Sequence, residues 1–437
     1  MGKNELTVCE LFAGVGGFHL GLERSGWKVV WANQWEPGKK EQHAANCYRG
    51  HFPETPFVND DIARVKGQVP SHTLLVGGFP CQDYSVATTK AHGITGKKGV
   101  LWWEINTILQ AKIDEGRTVP YVLLENVDRL VKSPSDQRGR DFGMILACLD
   151  RMGYAVEWRV INAADYGFPQ KRRRTFIFAT RASGPIDELY GGANEAKVVL
   201  ERGFFAPIFK VRSDGSNRSA IDLPADLQVL SDRFSFDFQN AGYVSNGRIF
   251  TIKTTPVFQG DRRTLRDVLV KDAGEEFYVD ESMIGDENNP TNLYKKSWRY
   301  CKGGKAEYRK DPNGYEYHYT EGPIPFPDRL DEPSRTMLTS DGNKRPNRIT
   351  HIILDPVSDR YRILTPIEAE RLNGFEDGWT EDMPLRWRYF CMGNALVVGL
   401  IEIMGKRLAS IVSDLDSDDF MVAEPRKTRR RRIDEYR

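Results

Sequence analysis

Through the first 180 residues short apolar runs alternate with amphipathic stretches, a pattern that predicts a parallel sheet flanked by helices. LTVCELFAG (6–14), KVVWAN (28–33), HTLLVGGF (72–79), YVLLENV (121–127) and RTFIFAT (174–180) read as strands. Between them, FHLGLERSG (18–26) and LWWEINTILQAKIDEG (101–116) carry apolar residues at helical spacing and finish on glycine, as helices often do. From about 185 to 345 the pattern breaks into aromatic and basic residues with frequent Gly, Pro, Asn and Asp, which predicts a second, irregular, turn-rich domain. Helical spacing returns in LTPIEAERLNGF (364–375) and GNALVVGLIEIMGKRLASIV (393–412). The expected organisation is an α/β domain over 1–185, a separate module over 186–345, a segment over 346–412 that returns to complete the first domain, and a disordered charged tail over 413–437.

At 437 residues the chain has room for two domains and a sizeable core. It carries no apolar window long enough for a membrane span and no secretory signal at its start, so an intracellular, cytoplasmic protein is expected. Six cysteines are spread singly, with no CxxC pair and no histidine pair at ligand spacing, which suggests neither a zinc site nor a disulfide framework. A net charge of +1 argues against a protein that coats polyanions indiscriminately. Charge is concentrated locally instead. The segment 295–310, KKSWRYCKGGKAEYRK, holds seven basic residues and one acid with Trp and Tyr interleaved, which suits phosphate contact and stacking. The six basic residues within 426–432 are read more simply as part of a solvated tail.

The candidate chemistry sits where strands end. LFAGVGGF turns a first strand into a first helix, and glycines there let backbone approach a ligand at the helix N-terminus. The spacing of Gly14, Gly16 and Gly17 is not the GxGxxG of a dinucleotide fold, which weakens a nicotinamide dehydrogenase. At the end of the second strand, where a ribose-binding acid is usual, stands Gln34, with Trp35 offering a flat face for a purine and Asp61 a possible acceptor for an adenine amino group. Cys81 and Glu125 each follow an apolar run, which puts both at the C-terminal ends of neighbouring strands, where open α/β sheets bind ligands. Either one alone reads as a buried small residue or a helix cap. Arg172 and Arg174 alternate in QKRRRTFIFAT and so share one face of an extended strand.

Taken together, GFPCQDYS (78–85), ENV (125–127) and QKRRR (170–174) resemble the ordered motifs of the cytosine-5 DNA methyltransferases. LFAGVGGF, GVLWWEI (99–105), NAADYGFPQ (162–170), PSRTMLTS (333–340), LTPIEAERLNGF and GNA (393–395) resemble further ones. The resemblance covers nearly all of 5–185 and 325–410. It implies a Rossmann-like S-adenosylmethionine-dependent methyltransferase domain with a smaller, β-rich target recognition domain. Cys81 would be the nucleophile, Glu125 the group engaging the base's N3 and amino group, and Arg172 a base-contacting and Glu-orienting residue. Asn126 would brace the Pro80-Cys81 turn. Phe12, Gly14, Gly16, Gln34, Trp35, Asp61, Ile62, Pro80, Leu101, Asn394 and Ala395 would surround S-adenosylmethionine, the product being S-adenosylhomocysteine. Gln82, Ser85, Lys302 and Lys305 would face DNA, and Gln170 and Arg174 would be structural or DNA-facing. Gln34 stands where the family usually has Glu. The implied protein is a prokaryotic modification enzyme, a monomer acting on double-stranded DNA near the nucleoid, with a cognate restriction endonuclease in the same system whether or not the two touch. Rival readings are a tRNA methyltransferase of the same chemistry, whose CFT motif is absent, and a DNA-reading module without activity.

Overall fold

The structure, a computed structural model, describes residues 5–79, 100–181, 190, 194–286, 297–311 and 313–414. Its first strands are β1 (Thr7–Leu11), β2 (Lys28–Asn33), β3 (Phe57–Val58), β4 (Leu74–Gly78), β5 (Tyr121–Val127), β6 (Ala155–Asn162) and β7 (Arg173–Thr180). They are joined in space in the order β3-β2-β1-β4-β5-β7-β6. The first five run parallel, while β7 is antiparallel to both β5 and β6. Side chains alternate between two apolar layers, as strand pleating requires. Val8, Leu74, Val76, Leu123 and Phe176 enter one layer; Cys9, Leu75, Val122, Leu124 and Ile177 enter the other. Helices Val100–Asp114 and Arg140–Arg151 cover the second face, and helices Gly17–Glu23, His43–His51 and Val398–Asp414 contribute to the first.

The expected domain boundary at 186 is corrected. After β8 (Val211–Arg212), strands β9 (Arg218–Asp222), β10 (Ala241–Ser245) and β11 (Arg248–Ile252) extend the main sheet through an antiparallel β10–β6 pairing. β12 (Thr255–Pro256) pairs with β8. The alternation that marks β10 and β11 is short and lies among Gly and Asn, so it reads as turn in sequence and becomes strand only as β10 pairs with β6 and β11 with β10. Phe204, Phe205 and Phe209 are likewise buried in the first apolar layer. The more irregular part with its own small core, formed by Val279, Ile284, Trp298, Ile352 and Ile363, begins near 275. It carries two hairpins, β13 (Lys305–Lys310) with β14 (Glu316–Glu321) and β15 (Ile352–Leu354) with β16 (Tyr361–Ile363).

Towards its C-terminus the chain packs into the first apolar layer. Helix Pro366–Asn373 starts from a capping box in which Thr365 and Glu368 satisfy each other's backbone amides, and it ends at Gly374 with φ 82°. Helix Val398–Asp414 then lies against Gly17–Glu23, and Trp27 Nε1 donates to Gly405 O at 3.0 Å. A β-carbon at Gly21 would stand 2.7 Å from Ile401 Cβ and 2.9 Å from Val398 O, so only glycine permits this approach. Gly21→Ala should lower stability by about 1–3 kcal/mol. Chemical denaturation measures it, and an unchanged midpoint would contradict such close packing.

Candidate active site at the strand ends

The parallel pairing of β4 with β5 sets Gly78 opposite Glu125. Glu125 is buried, and a β-carbon at Gly78 would lie 3.2 Å from its Oε2, so the missing side chain leaves the carboxylate room. Asn126 Nδ2 donates to Phe79 O at 2.7 Å while its Oδ1 accepts from Val127 N at 2.9 Å. The carbonyl just ahead of Pro80 is thus fixed by the neighbouring strand. Cys81, Pro80, Gln82 and Ser85 lie outside the described residues.

Arg174, and not Arg172, is the direct partner of Glu125. Arg174 Nε stands 2.7 Å from Glu125 Oε1 as an ion pair, yet that oxygen has no hydrogen-bond donor aimed at it among the described residues. Arg172 is instead buried, donating from Nη1 to Met337 O at 3.2 Å and from Nη2 to Gly393 O at 3.0 Å. Desolvation, with Arg174's charge adding to it, pushes its pKa down to about 9. Arg172 stands just ahead of β7 and is occupied tying it to the C-terminal segment. Gln170, expected to be structural or DNA-facing, takes an inward position. It is fully buried, accepts from Met337 N at 3.1 Å, donates to Asn373 Oδ1 at 3.1 Å and bridges to Ser334.

On the other side of β4, the turn after β1 holds Phe12, Gly14 and Gly16 in the left-handed region, at φ 56°, 57° and 88°. Gly14 N donates to Gln34 Oε1 at 2.9 Å. Trp35 is half-buried beside it, Asp61 caps the short helix Ile62–Val65 through Ala63 N at 3.0 Å, and Ile62 is buried. Leu101 and Ala395 are half-buried, and Asn394 is exposed at the end of helix Leu385–Asn394. A β-carbon at Gly14 would meet nothing within 4 Å, so the turn opens onto space and not onto packed protein.

These strand ends lie inside a chain whose relationships are clear. Residues 6–410 match the family described as C-5 cytosine-specific DNA methylase. The chain belongs to that family. It is 44% identical to Type II methyltransferase M.Sau3AI of Staphylococcus aureus, over 95% of this chain and 98% of the relative. It is 37% identical to Type II methyltransferase M.HaeII of Haemophilus aegyptius, over 50% of this chain and 64% of the relative. The Spodoptera frugiperda DNMT2 structure shares the fold at a TM-score of 0.55, covering 93% of this chain and 99% of that one at 14% identity. The protein is a DNA cytosine-5 methyltransferase, and the large parallel-rich sheet is the family's fold.

Within this methyltransferase, two expected DNA contacts prove to be structural. Lys302 is buried over the Trp298 ring, donating to Arg348 O at 2.9 Å and to Thr350 O, and burial lowers its pKa to about 8. Lys305 pairs with Glu321 Oε2 at 3.2 Å, across the root of the β13–β14 hairpin. A run of lysines in sequence does not reveal which of them turn inward.

Sequence reasoning also passed over the groups beneath the glycine turn. Trp379 Nε1 donates to Val15 O at 2.9 Å and its ring stacks on His51 at 3.5 Å. Tyr48 OH donates to Glu10 Oε2 at 3.1 Å and meets His19 Nδ1 at 2.6 Å. Their one sequence signal is a lone Glu inside an apolar strand, and a lone aromatic. Burial raises the Glu10 pKa from 4.5 to about 8. The native state therefore holds a proton that the unfolded chain has lost, and stability falls as pH rises from about 4.5 to about 8. Glu10→Gln has no proton to lose. Its unfolding midpoint should climb relative to the parent between pH 5 and pH 8, by roughly 1 °C per kcal/mol. Parallel midpoints across that range would contradict the assignment.

Proposed function

We propose that the enzyme transfers a methyl group from S-adenosylmethionine to C5 of a cytosine swung out of double-stranded DNA, through a transient bond between Cys81 Sγ and C6. The observation that carries this reading is the β4–β5 register, which sets a buried carboxylate with an undonated oxygen beside the strand that runs on, three residues later, to Cys81. C5 of cytosine is a poor nucleophile. Addition of the thiolate to C6 turns the ring into an enamine, splitting one hard step into easier ones. Glu125 engages N3 and the amino group, and Arg174 orients Glu125. After transfer, loss of the C5 proton restores the double bond and expels the thiolate. Extruding the base costs a few kcal/mol in lost stacking.

The residues around the glycine turn fit the cofactor: the backbone is left-handed at Phe12, Gly14 and Gly16 and opens onto space at Gly14, Trp35 supplies a flat face, and Asp61 has an edge to offer a purine amino group. S-adenosylmethionine supplies an electrophilic methyl group there. Ile62, Pro80, Leu101, Asn394 and Ala395 complete the surround.

Target recognition we assign to the irregular part, now taken as about 275–345. The β13–β14 hairpin leaves Tyr308 and Tyr315 each 77% exposed, and a two-stranded ribbon is a shape the DNA major groove admits. Lys302 and Lys305 anchor its root. The Type II methyltransferases it resembles support a place in a restriction-modification system, with a cognate endonuclease acting on the same sequence. We further propose a monomer acting in the bacterial cytoplasm; no helix among the described residues is long and apolar enough to cross a membrane.

Incubation with labelled S-adenosylmethionine should place label in duplex DNA and not in tRNA, with bisulfite sequencing mapping it to one cytosine in a fixed sequence. Label in tRNA alone would favour the rival substrate. Arg174→Ala should cut transfer by on the order of a hundredfold or more while the fold persists. Arg172→Ala should instead cost stability, about 1–3 kcal/mol for each orphaned carbonyl. Equal activity of Arg174→Ala and parent would remove Arg174 from the site.

A further inference from the structure

Building on the proposed use of S-adenosylmethionine, we propose that Gln34 serves the cofactor by clasping the glycine turn and not by gripping the ribose. A nucleotide site on a doubly wound sheet ordinarily ends its second strand in a carboxylate that accepts from ribose hydroxyls. Here the position holds a carboxamide, and its one oxygen already accepts from Gly14 N at 2.9 Å. The Gly14 amide can only donate, so the atom facing it is the oxygen whichever way a side-chain amide is first drawn.

The rest of Gln34 is tethered for the same task. Its backbone N donates to Val58 O at 3.3 Å and its carbonyl accepts from Asn59 Nδ2 at 2.6 Å. What remains is Nε2, which has no partner among the described residues and is a donor only, and the second lone pair of an oxygen already committed to Gly14 and lacking a carboxylate's charge.

The turn needs the clasp. Three of its residues are left-handed, one of them the non-glycine Phe12. Ala13 N finds Asn33 O and Gly16 N finds Ala13 O, each at 2.9 Å, but Gly14 N is met by a side chain. Nothing packs where a Gly14 side chain would be. Val15 O, the next group along, is held by Trp379 Nε1. Two consecutive residues are thus pinned by side chains from different segments, and Gln34 is a positioning residue.

The test titrates S-adenosylhomocysteine and its 2′,3′-dideoxy analogue calorimetrically into the full chain, as parent, Gln34→Met and Gln34→Glu. Hydrogen exchange at the Gly14 amide is followed without ligand. Gln34→Met should weaken both ligands by the same factor, about tenfold, and speed Gly14 exchange similarly. Gln34→Glu, which keeps an oxygen on Gly14, should retain parental protection and bind as tightly or tighter. Weakening of S-adenosylhomocysteine with the dideoxy analogue spared would overturn the clasp in favour of a ribose grip. Unchanged Gly14 exchange in Gln34→Met, or Gln34→Glu binding as poorly as Gln34→Met, would overturn it too. If the parent binds no S-adenosylhomocysteine, the cofactor reading falls and this inference with it.

Discussion

The pairing of β4 with β5 is the constraint on which the site depends. A parallel ladder fixes which residues leave a sheet together, and here Gly78 and Glu125 do. Packing holds this register in place. Leu75 and Val122 go to one apolar layer and Val76 and Leu123 to the other, so a slip of one residue would turn every one of them to the wrong face. On the other side of β4, Gly77 lets β1 approach, since a β-carbon there would lie 2.9 Å from Leu11 O. The strand carrying the carboxylate and the strand leading to the thiol therefore end side by side. Asn126 extends the constraint one residue beyond the ladder by holding Phe79 O.

Around this pair the protein joins distant parts of its sequence. Arg172 reaches Gly393 O, Gln170 reaches Asn373, and Trp379 reaches Val15 O. Each is a buried polar side chain with a partner far away in sequence, and such bonds are costly to leave half-made. They make the C-terminal segment part of both halves of the site. The loop-rich module between can vary while the ends that matter stay fixed, because the chain returns to the sheet after it.

Much of this was legible in the sequence where a pattern is strong and local. KVVWAN and YVLLENV correspond to β2 and β5, and LTPIEAERLNGF carries its own cap, stop and helical spacing. Glu125 was found because a charge at the end of an apolar run stands out. The extension of the sheet by β9, β10 and β11 was not legible, because the β10–β6 pairing that joins them to it is a long-range choice among Gly- and Asn-rich segments. Which arginine meets Glu125 was also hidden. Alternation predicts a shared face for Arg172 and Arg174, but depth in the fold decides that the first braces carbonyls and the second reaches the carboxylate. Lys302 shows the same limit, since a basic run records charge and not direction.

The central claim is that Cys81 adds to C6 of the target cytosine beside Glu125. The most direct measurement uses duplex DNA carrying 5-fluorocytosine at the methylated position, incubated with enzyme and S-adenosylmethionine. Fluorine at C5 cannot leave as a proton does, so the sulfur cannot be expelled. The account predicts a complex that survives denaturation, with peptide mass spectrometry placing the DNA on Cys81. A complex that falls apart on denaturation while unmodified DNA is methylated at full rate, or DNA attached to another residue, would contradict it.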